Sequence, residues 1–172
     1  MRYTAALLFV FLFAAAASAQ EYVIKLNAKE DTVEKNRNFY FVSVEDNRED
    51  AKDRRTVGHF GRNDKTKAVL EKDIDPFFLE YLQAVYPQRQ GDFGLMLRIN
   101  KIICSSTGGM LSEAKVELDI DIVSTATGEV ISNITLTKTR QPLMGGKTFG
   151  TLIEEIIAYA VSMIKLQKPA EH

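Results

Sequence analysis

The chain has 172 residues and a formal net charge of −1, so it has no global polybasic field and nucleic acid is not an expected partner. Its one cysteine, Cys104, cannot form an internal disulfide, which excludes a cross-linked framework and leaves stability to an apolar core. Because Cys104 ends an apolar stretch and has no nearby histidine, we interpret it as a small buried hydrophobe rather than a nucleophile.

Residues 1–19 have the three parts of a cleavable secretory signal. A positive charge at Arg2 precedes an apolar run over residues 5–16, and small residues come directly before Gln20. The apolar run is shorter than the roughly 20 residues that a membrane span needs, and Gln20 stands where a bacterial lipoprotein would carry its lipidated cysteine. We therefore predict cleavage after Ala19, export to the periplasm or the exterior, and no transmembrane segment after cleavage.

About 150 residues remain after cleavage, enough for one domain with a sizeable core. We predict a single domain over residues 20–168 and a disordered tail over residues 169–172. Within the domain, residues 22–26 predict a short strand, and residues 39–44 predict a stronger one because they are rich in aromatic and β-branched side chains. Residues 47–67 are densely charged, and we expect a long exposed loop there.

A helix is predicted to begin at Asp75-Pro76, because aspartate can cap the free backbone N–H groups of a first turn and proline suits the first helical position. Pro87 ends this helix. The side chains expected on its buried side are Phe77, Phe78, Leu79, Tyr81, Leu82 and Val85.

Three runs of period-two alternation follow, and each predicts a strand with one buried and one wet face. The connectors between the runs are short, so we expect an antiparallel meander. The positions that share the inward face are, run by run, Phe93, Leu95, Leu97 and Ile99; Val116, Leu118, Ile120 and Ile122; Val130, Ser132, Ile134 and Leu136.

The last predicted element is a long helix from about Thr148 to Leu166, whose broad apolar face should lie across the sheet. Ile157 and Tyr159 widen that face, which leaves two alternatives: a helix buried between the sheet and the other helix, or a face that is partly an interaction surface. Together the elements predict an α+β fold, with a mostly antiparallel sheet of four or five strands and two helices packed on one face.

No segment carries a nucleotide or metal signature, and we expect no cofactor. Glu117, Asp119 and Asp121 lie on one face of a predicted strand, and their carboxylates are of the type that binds calcium. Successive residues of a single strand cannot by themselves surround an ion, however. We therefore interpret them as a solvated face that pairs with Arg98 and Lys115.

His59, in the charged segment, is the one histidine of the chain that is well placed for acid–base chemistry, since His172 is the terminal residue. One alternative is a small hydrolase in which His59 acts with Asp46. The other is a histidine at a binding surface. No serine in a nucleophile-elbow context accompanies His59, and a zinc site would need more histidines or cysteines, so the second alternative is favoured.

Two short segments resemble a known family: VSVEDNR at residues 42–48 and Val57-Gly58 downstream. They are similar to the opening of small bacterial envelope proteins of the YajG-like lipoprotein and transport-auxiliary type, in which a core strand ends in an Asp-x-Arg loop before a helix and a β-meander. The chain departs from that family because it lacks the lipid-attachment cysteine. The resemblance implies a non-enzymatic accessory of the cell envelope, in which Asp46 and Arg48 shape the loop.

These features predict an exported, non-enzymatic binding or scaffold protein that docks a protein partner of the bacterial cell envelope through the charged loop. The hydrolase remains an alternative, and so does a self-assembling structural subunit, because the sequence leaves the oligomeric state open. The candidate binding residues are Asp46, Arg48, Arg54, Arg55, His59 and Arg62.

Overall fold

The computed structural model describes residues 20–28, 37–49, 53–61, 65–107, 113–141 and 147–164. The predicted signal segment, the predicted tail and Arg62 lie outside these residues. Within the described ranges the chain forms seven strands and two helices: β1 (Gln20–Ile24), β2 (Phe39–Asp46), β3 (Thr56–Phe60), β4 (Thr66–Leu70), α1 (Ile74–Val85), β5 (Phe93–Thr107), β6 (Glu113–Ser124), β7 (Val130–Arg140) and α2 (Lys147–Ile164).

The strands form two sheets. In the smaller sheet β4 lies between β1 and β3, and in the larger sheet the order is β2-β5-β6-β7. The pairs β1–β4 and β2–β5 are parallel, whereas β3–β4, β5–β6 and β6–β7 are antiparallel. The α+β class and the meander of β5, β6 and β7 are confirmed. The prediction of one sheet of four or five strands is corrected, since the strands divide between two mixed sheets.

The prediction of a long loop over residues 47–67 is wrong in its second half, which contains β3 and the start of β4. Val57 and Phe60 of β3 are buried, whereas His59 is exposed. The register with β4 shifts next to Gly58, so the buried side chains of β3 do not alternate regularly. A five-residue strand with a central glycine has little strand propensity of its own, and pairing with β4 stabilises it.

Both helices cover the apolar face of the larger sheet. At the edge of this face Phe39 and Phe41 of β2 contact Tyr86, which follows α1, with ring centroids 6.1 and 5.8 Å apart. On β7 the same face ends in Lys138, whose Nζ lies 2.9 Å from Oε2 of Glu155 in α2. The predicted placement of two helices on one face is therefore confirmed. One cluster of buried apolar side chains joins both helices and both sheets.

The first residues of α1 differ from the prediction. The N-cap is Asp73 rather than Asp75, and the N–H of Phe77 donates to the carbonyl of Asp73 at 3.0 Å. Pro76 therefore lies inside the first turn, where it is tolerated because the N–H groups of that turn have no helical acceptor. Asp75 does not cap the helix, and its carboxylate pairs with Arg54 instead.

The apolar face of α2 is mostly core. Ile157 is buried, whereas Tyr159 is 49% exposed and Met163, one turn later, is also exposed. Most of this face is therefore buried, as the first alternative predicts, whereas two apolar side chains face solvent. Neither helix of the described ranges is long and apolar enough to cross a membrane.

Two glycines allow backbone segments to approach closely. A Cβ on Gly58 of β3 would lie 2.0 Å from the carbonyl oxygen of Cys104 in β5, and a Cβ on Gly150 of α2 would lie 2.2 Å from the carbonyl oxygen of Lys25. Any other residue would collide with backbone at these points. Gly58 therefore sets how closely β3 lies against β5, and Gly150 sets how closely α2 lies against the segment after β1.

Candidate functional site

The site begins at the end of β2, where Asp46 meets Arg48. The side chain of Asp46 is 1% exposed, and its two carboxylate oxygens accept hydrogen bonds from Nε (2.8 Å) and Nη2 (2.9 Å) of Arg48. Nη1 of Arg48 donates to the carbonyl oxygen of Thr56 at 3.0 Å. Because one planar guanidinium bonds the carboxylate and this carbonyl together, it ties the end of β2 to the start of β3.

Arg54 approaches the same carboxylate. Its Nε lies 3.6 Å from Oδ2 of Asp46, and its Nη2 donates to Oδ2 of Asp75 in α1 at 2.5 Å. Burial acts to raise the pKa of Asp46, but the hydrogen bonds and charge of Arg48, together with the charge of Arg54, outweigh it and hold that pKa below its usual value. Asp46 is therefore a buried anion between two guanidinium groups.

Arg55 is also held within the chain. Its Nε donates to the carbonyl oxygen of Leu70 at 3.0 Å, and its backbone N–H donates to Oδ1 of Asp53 at 3.0 Å. The remaining predicted arginine, Arg62, lies outside the described residues. The three predicted arginines within the described ranges thus make intrachain contacts.

His59 is exposed in β3, where its register partner in β4 is Lys67. The carboxylate of Asp46 is bonded by Arg48, and no hydrogen bond joins Asp46 to His59 in the part of the chain that the structure describes. The structure therefore does not bring together the carboxylate and imidazole that the hydrolase alternative needs, since a carboxylate orients a catalytic histidine by direct contact.

The end of β2 forms one wall of the site, and a bulge in β5 forms the other. Ile99 and Ile102 both face the core, although they are an odd number of residues apart. The register with β6 shifts between Ile99 and Lys101, which leaves Asn100 as the extra residue of the bulge and places Lys101 and Ile103 on the open face. This wall is absent from the sequence-based predictions, although the switch from odd-numbered to even-numbered apolar positions that marks the bulge is visible in the sequence.

A groove of about 790 Å³ opens where the end of β2 meets the bulge, a volume in the range of ligand sites. Nδ2 of Asn47 donates to Oδ1 of Asn100 at 2.8 Å, and Nδ2 of Asn100 donates to Oδ2 of Asp121 at 3.0 Å. These amides connect the loop after β2 to the sheet. The residues that line the groove are Asn47, Arg48, Glu49, Asn100, Lys101, Ile102, Ile103 and Asp119.

The polar groups of the groove differ in whether they have an ion-pair or hydrogen-bond partner within the chain. Nζ of Lys101 lies 2.8 Å from Oε2 of Glu117, and hydrogen bonds from Lys101 and Lys115 lower the pKa of Glu117 to about 2. Asp119 is different: its Oδ1 is buried and has no hydrogen-bond partner among the described residues. Ile103 adds an apolar side chain that is 38% exposed. One groove thus offers a cation, an unpaired acceptor and an apolar contact.

Two carboxylates of the acidic row on β6, Glu117 and Asp121, are paired with Lys115 and Arg98 as predicted, whereas Oδ1 of Asp119 has no partner among the described residues. Nζ of Lys115 lies 2.6 Å from Glu117, and Nη1 of Arg98 lies 3.9 Å from Asp121. Over the described ranges no group of three or more histidine, cysteine, aspartate or glutamate side chains is placed to hold a metal ion. Cys104 is buried, and burial raises the pKa of its thiol to about 12, so it is protonated and unreactive at neutral pH.

A second cavity, of about 190 Å³, lies beside α1, and its lining includes Leu26, Phe77 and Tyr81. Ligand pockets usually have volumes of at least about 300 Å³, so this cavity is small for a ligand. The groove at the end of β2 is therefore the candidate functional site.

Comparison with known proteins does not assign the chain to a family. No family model and no curated protein matches it. Among solved structures, the chain is similar to protein XCC0632 from Xanthomonas campestris, of family DUF330, with 10% identity, a TM-score of 0.46, and coverage of 84% of this chain and 92% of that one. A structure of an uncharacterized protein gives 10% identity, a TM-score of 0.43, and coverage of 87% and 96%. At these scores neither similarity carries a functional assignment.

Proposed function

We propose that the protein is a non-enzymatic binding protein of the bacterial cell envelope, which holds an extended segment of a protein partner in the groove at the end of β2. The predicted secretion signal supports the compartment, and the sequence resemblance to envelope accessory proteins supports the class. The predicted binding region is retained, and the contact surface is the groove, which includes Arg48 but not Arg54 or Arg55.

The observation that carries the proposal is the unpaired Oδ1 of Asp119. A buried acceptor without a donor costs about 1–3 kcal/mol, and a ligand that supplies the donor recovers this cost on binding. An extended peptide is a suitable source, because its backbone presents N–H groups at regular intervals to a neighbouring sheet.

The other groups of the groove fit the same kind of ligand. The amides of Asn47 and Asn100 can both donate and accept, which matches the alternating donors and acceptors of a peptide backbone. Ile103 offers an apolar contact, and Lys101 offers a positive charge. The expected partner segment is therefore polar and extended, with one apolar and one acidic side chain.

Arg48 lines the groove, whereas Arg54 and Arg55 are not among its lining residues. Arg48 and Arg54 hold Asp46, and Arg55 is bonded to Leu70. Replacing any of them would alter the shape of the loop as well as any contact with a partner. Variants that test binding therefore belong at groove residues other than Arg48.

The proposal is tested by placing a photo-cross-linking amino acid at position 103, irradiating intact cells and identifying the cross-linked product by mass spectrometry. Position 159 on α2 is the control, because Tyr159 is also apolar and at least as exposed. We expect one dominant envelope protein from position 103 and not from position 159. The same products from both positions, or none from position 103, would argue against the groove.

Two variants then test the chemistry of the groove. Lys101→Glu should reduce the cross-linking yield about tenfold, the effect of about 1.4 kcal/mol. Lys25→Glu is the control and should leave the yield unchanged, because Lys25 does not line the groove. The two lysines are matched, since each forms one ion pair, at 2.8 and 2.7 Å, and their side chains are 49% and 61% exposed. Asp119→Ala, which removes the acceptor, should lower the yield without lowering the free energy of unfolding. A loss of stability would instead show that Asp119 is structural.

A further inference from the structure

Strand β7 has one free edge. It pairs with β6 on one side, and no strand within the described ranges pairs with the other side. The register with β6 is continuous from Ser132 to Arg140. The free edge of this segment therefore presents a regular row of backbone N–H and C=O groups, which is a template for another strand.

The other edge strands are interrupted or short. The pairing of β2 is broken by a bulge at Val42, and β1 and β3 have five residues each. Such edges resist pairing, as do edges that carry proline or outward-pointing charges. β7 has no proline, and its two charged residues, Lys138 and Arg140, pair with Glu155 of α2. From Ser132 onwards β7 thus lacks these protective features.

We infer that β7 pairs with β7 of a second copy of this chain, antiparallel and around a twofold axis near Thr135. The net charges at the two ends of the strand support this orientation, because Glu155 balances only one of the two positive charges at the basic end. Glu129 directly precedes β7, whereas Lys138 and Arg140 lie at its other end. Antiparallel pairing places the acidic end of each copy beside the basic end of the other, whereas parallel pairing would place like charges together. The interface is isologous and closes at two copies.

The central side chains suit such a pairing. Asn133, Thr135 and Thr137 are exposed on the open face, and threonine has high β propensity and forms favourable cross-strand pairs. Pairing joins the two larger sheets into one continuous sheet with both open faces on the same side. If the proposed function also holds, the two grooves face the same way, but the pairing does not depend on that function.

The first test is the mass of the purified protein in solution, in the form that cells produce. We expect a dimer by light scattering and sedimentation at about 100 μM, where an interface of micromolar Kd is occupied. The double variant Thr135→Lys/Thr137→Lys places like charges at the axis and should be monomeric with an unchanged circular dichroism spectrum. Ala158→Lys/Ser162→Lys adds the same charge at exposed positions of α2 and should remain dimeric.

Cysteine scanning locates the axis. Because Cys104 is buried, a cysteine introduced at position 133, 135 or 137 supplies the accessible thiol. Mild oxidation should give a covalent dimer at the position nearest the axis, expected to be 135, since a disulfide needs Cα atoms about 4.4–6.8 Å apart. A monomer, a larger open assembly, or a dimer that the double lysine variant leaves intact would overturn the pairing. None of these results bears on the cross-linking test of the groove.

Discussion

Asp46 and Arg48 show at the residue scale how a two-residue spacing can fix the geometry of a site. The side chain of Asp46 is almost fully buried, so Arg48 supplies the charge and the hydrogen bonds that water would otherwise provide. The same guanidinium then holds the carbonyl of Thr56. Removing one member of a buried pair leaves the other charge buried and unpaired, which is costlier than breaking a surface pair.

Arg48→Ala should therefore lower the free energy of unfolding by about 3 kcal/mol, measured by urea denaturation at pH 7. The control Lys25→Ala breaks the exposed pair with Glu71 and should cost at most about 1 kcal/mol. Equal effects of the two variants would contradict the structural role assigned to Arg48.

The pH dependence provides a second measurement on the same variant. The folded-state pKa of Asp46 lies below its usual value of 3.8, so the paired carboxylate stabilises the fold above about pH 4, and this contribution is lost as the pH falls through the folded-state pKa. The difference in stability between the native protein and Arg48→Ala should therefore shrink on acidification below pH 4. A difference that stays constant would show that Asp46 is not the group that Arg48 stabilises.

Among the secondary-structure elements, α2 is positioned by close contacts with the chain around β1. Its first turns lie on β1 and the segment that follows it: Oε1 of Glu154 accepts a hydrogen bond from the N–H of Asn27 at 2.6 Å, and the rings of Tyr22 and Phe149 have centroids 5.7 Å apart. Gly150 faces the carbonyl of Lys25 in the same region. The helix is therefore positioned by close backbone contact with the small sheet as well as by its apolar face.

Gly150→Ala should destabilise the protein by about 1–3 kcal/mol, because the added Cβ would meet a backbone oxygen and the helix would have to shift. Helix propensity alone predicts the opposite sign, a gain of about 1 kcal/mol. Ala158→Gly at an exposed position of the same helix calibrates that propensity, and thermal and urea unfolding measure both variants. Stabilisation by Gly150→Ala would contradict the close approach.

At the scale of the whole molecule, the two sheets share one apolar core, and a close backbone approach joins Gly58 of β3 to Cys104 of β5. The thiol of Cys104 is therefore buried at the junction of the two sheets. If the sheets unfold together, this thiol becomes accessible only when the whole core opens.

Labelling of Cys104 by a thiol reagent in increasing urea should therefore follow the same transition as circular dichroism, with no labelling of the folded protein, because the thiol is buried and its pKa is raised to about 12. Val23→Ala changes an exposed side chain of β1 and serves as the control variant. It should not change the labelling of Cys104 in the folded protein. Labelling that precedes the loss of secondary structure would show that the small sheet separates before the larger one unfolds.

The elements that the sequence predicts correctly are those with a regular local pattern. Alternation at Val116 to Ile122 and the aromatic run at Phe39 predict strands, and the apolar residues between Asp75 and Pro87 predict α1, because side-chain periodicity reports which face of an element is buried. Side-chain periodicity does not predict the structure correctly where the backbone is irregular. β3 has a glycine and a register shift, and β5 changes phase at Asn100.

The α+β class, the meander, both helices and the region after β2 where a site is expected can all be predicted from the sequence. The folded chain is needed to establish that β1 pairs with β4 and β2 with β5, that the strands divide into two sheets, and that a groove forms against the bulge. The physical reason is that periodicity specifies the buried face of a strand but not its neighbour, since backbone hydrogen bonds are the same for every residue type except proline. The arginines are the clearest case: their charge is evident in the sequence, but their use in holding Asp46 and Leu70 depends on contacts that only the folded chain forms.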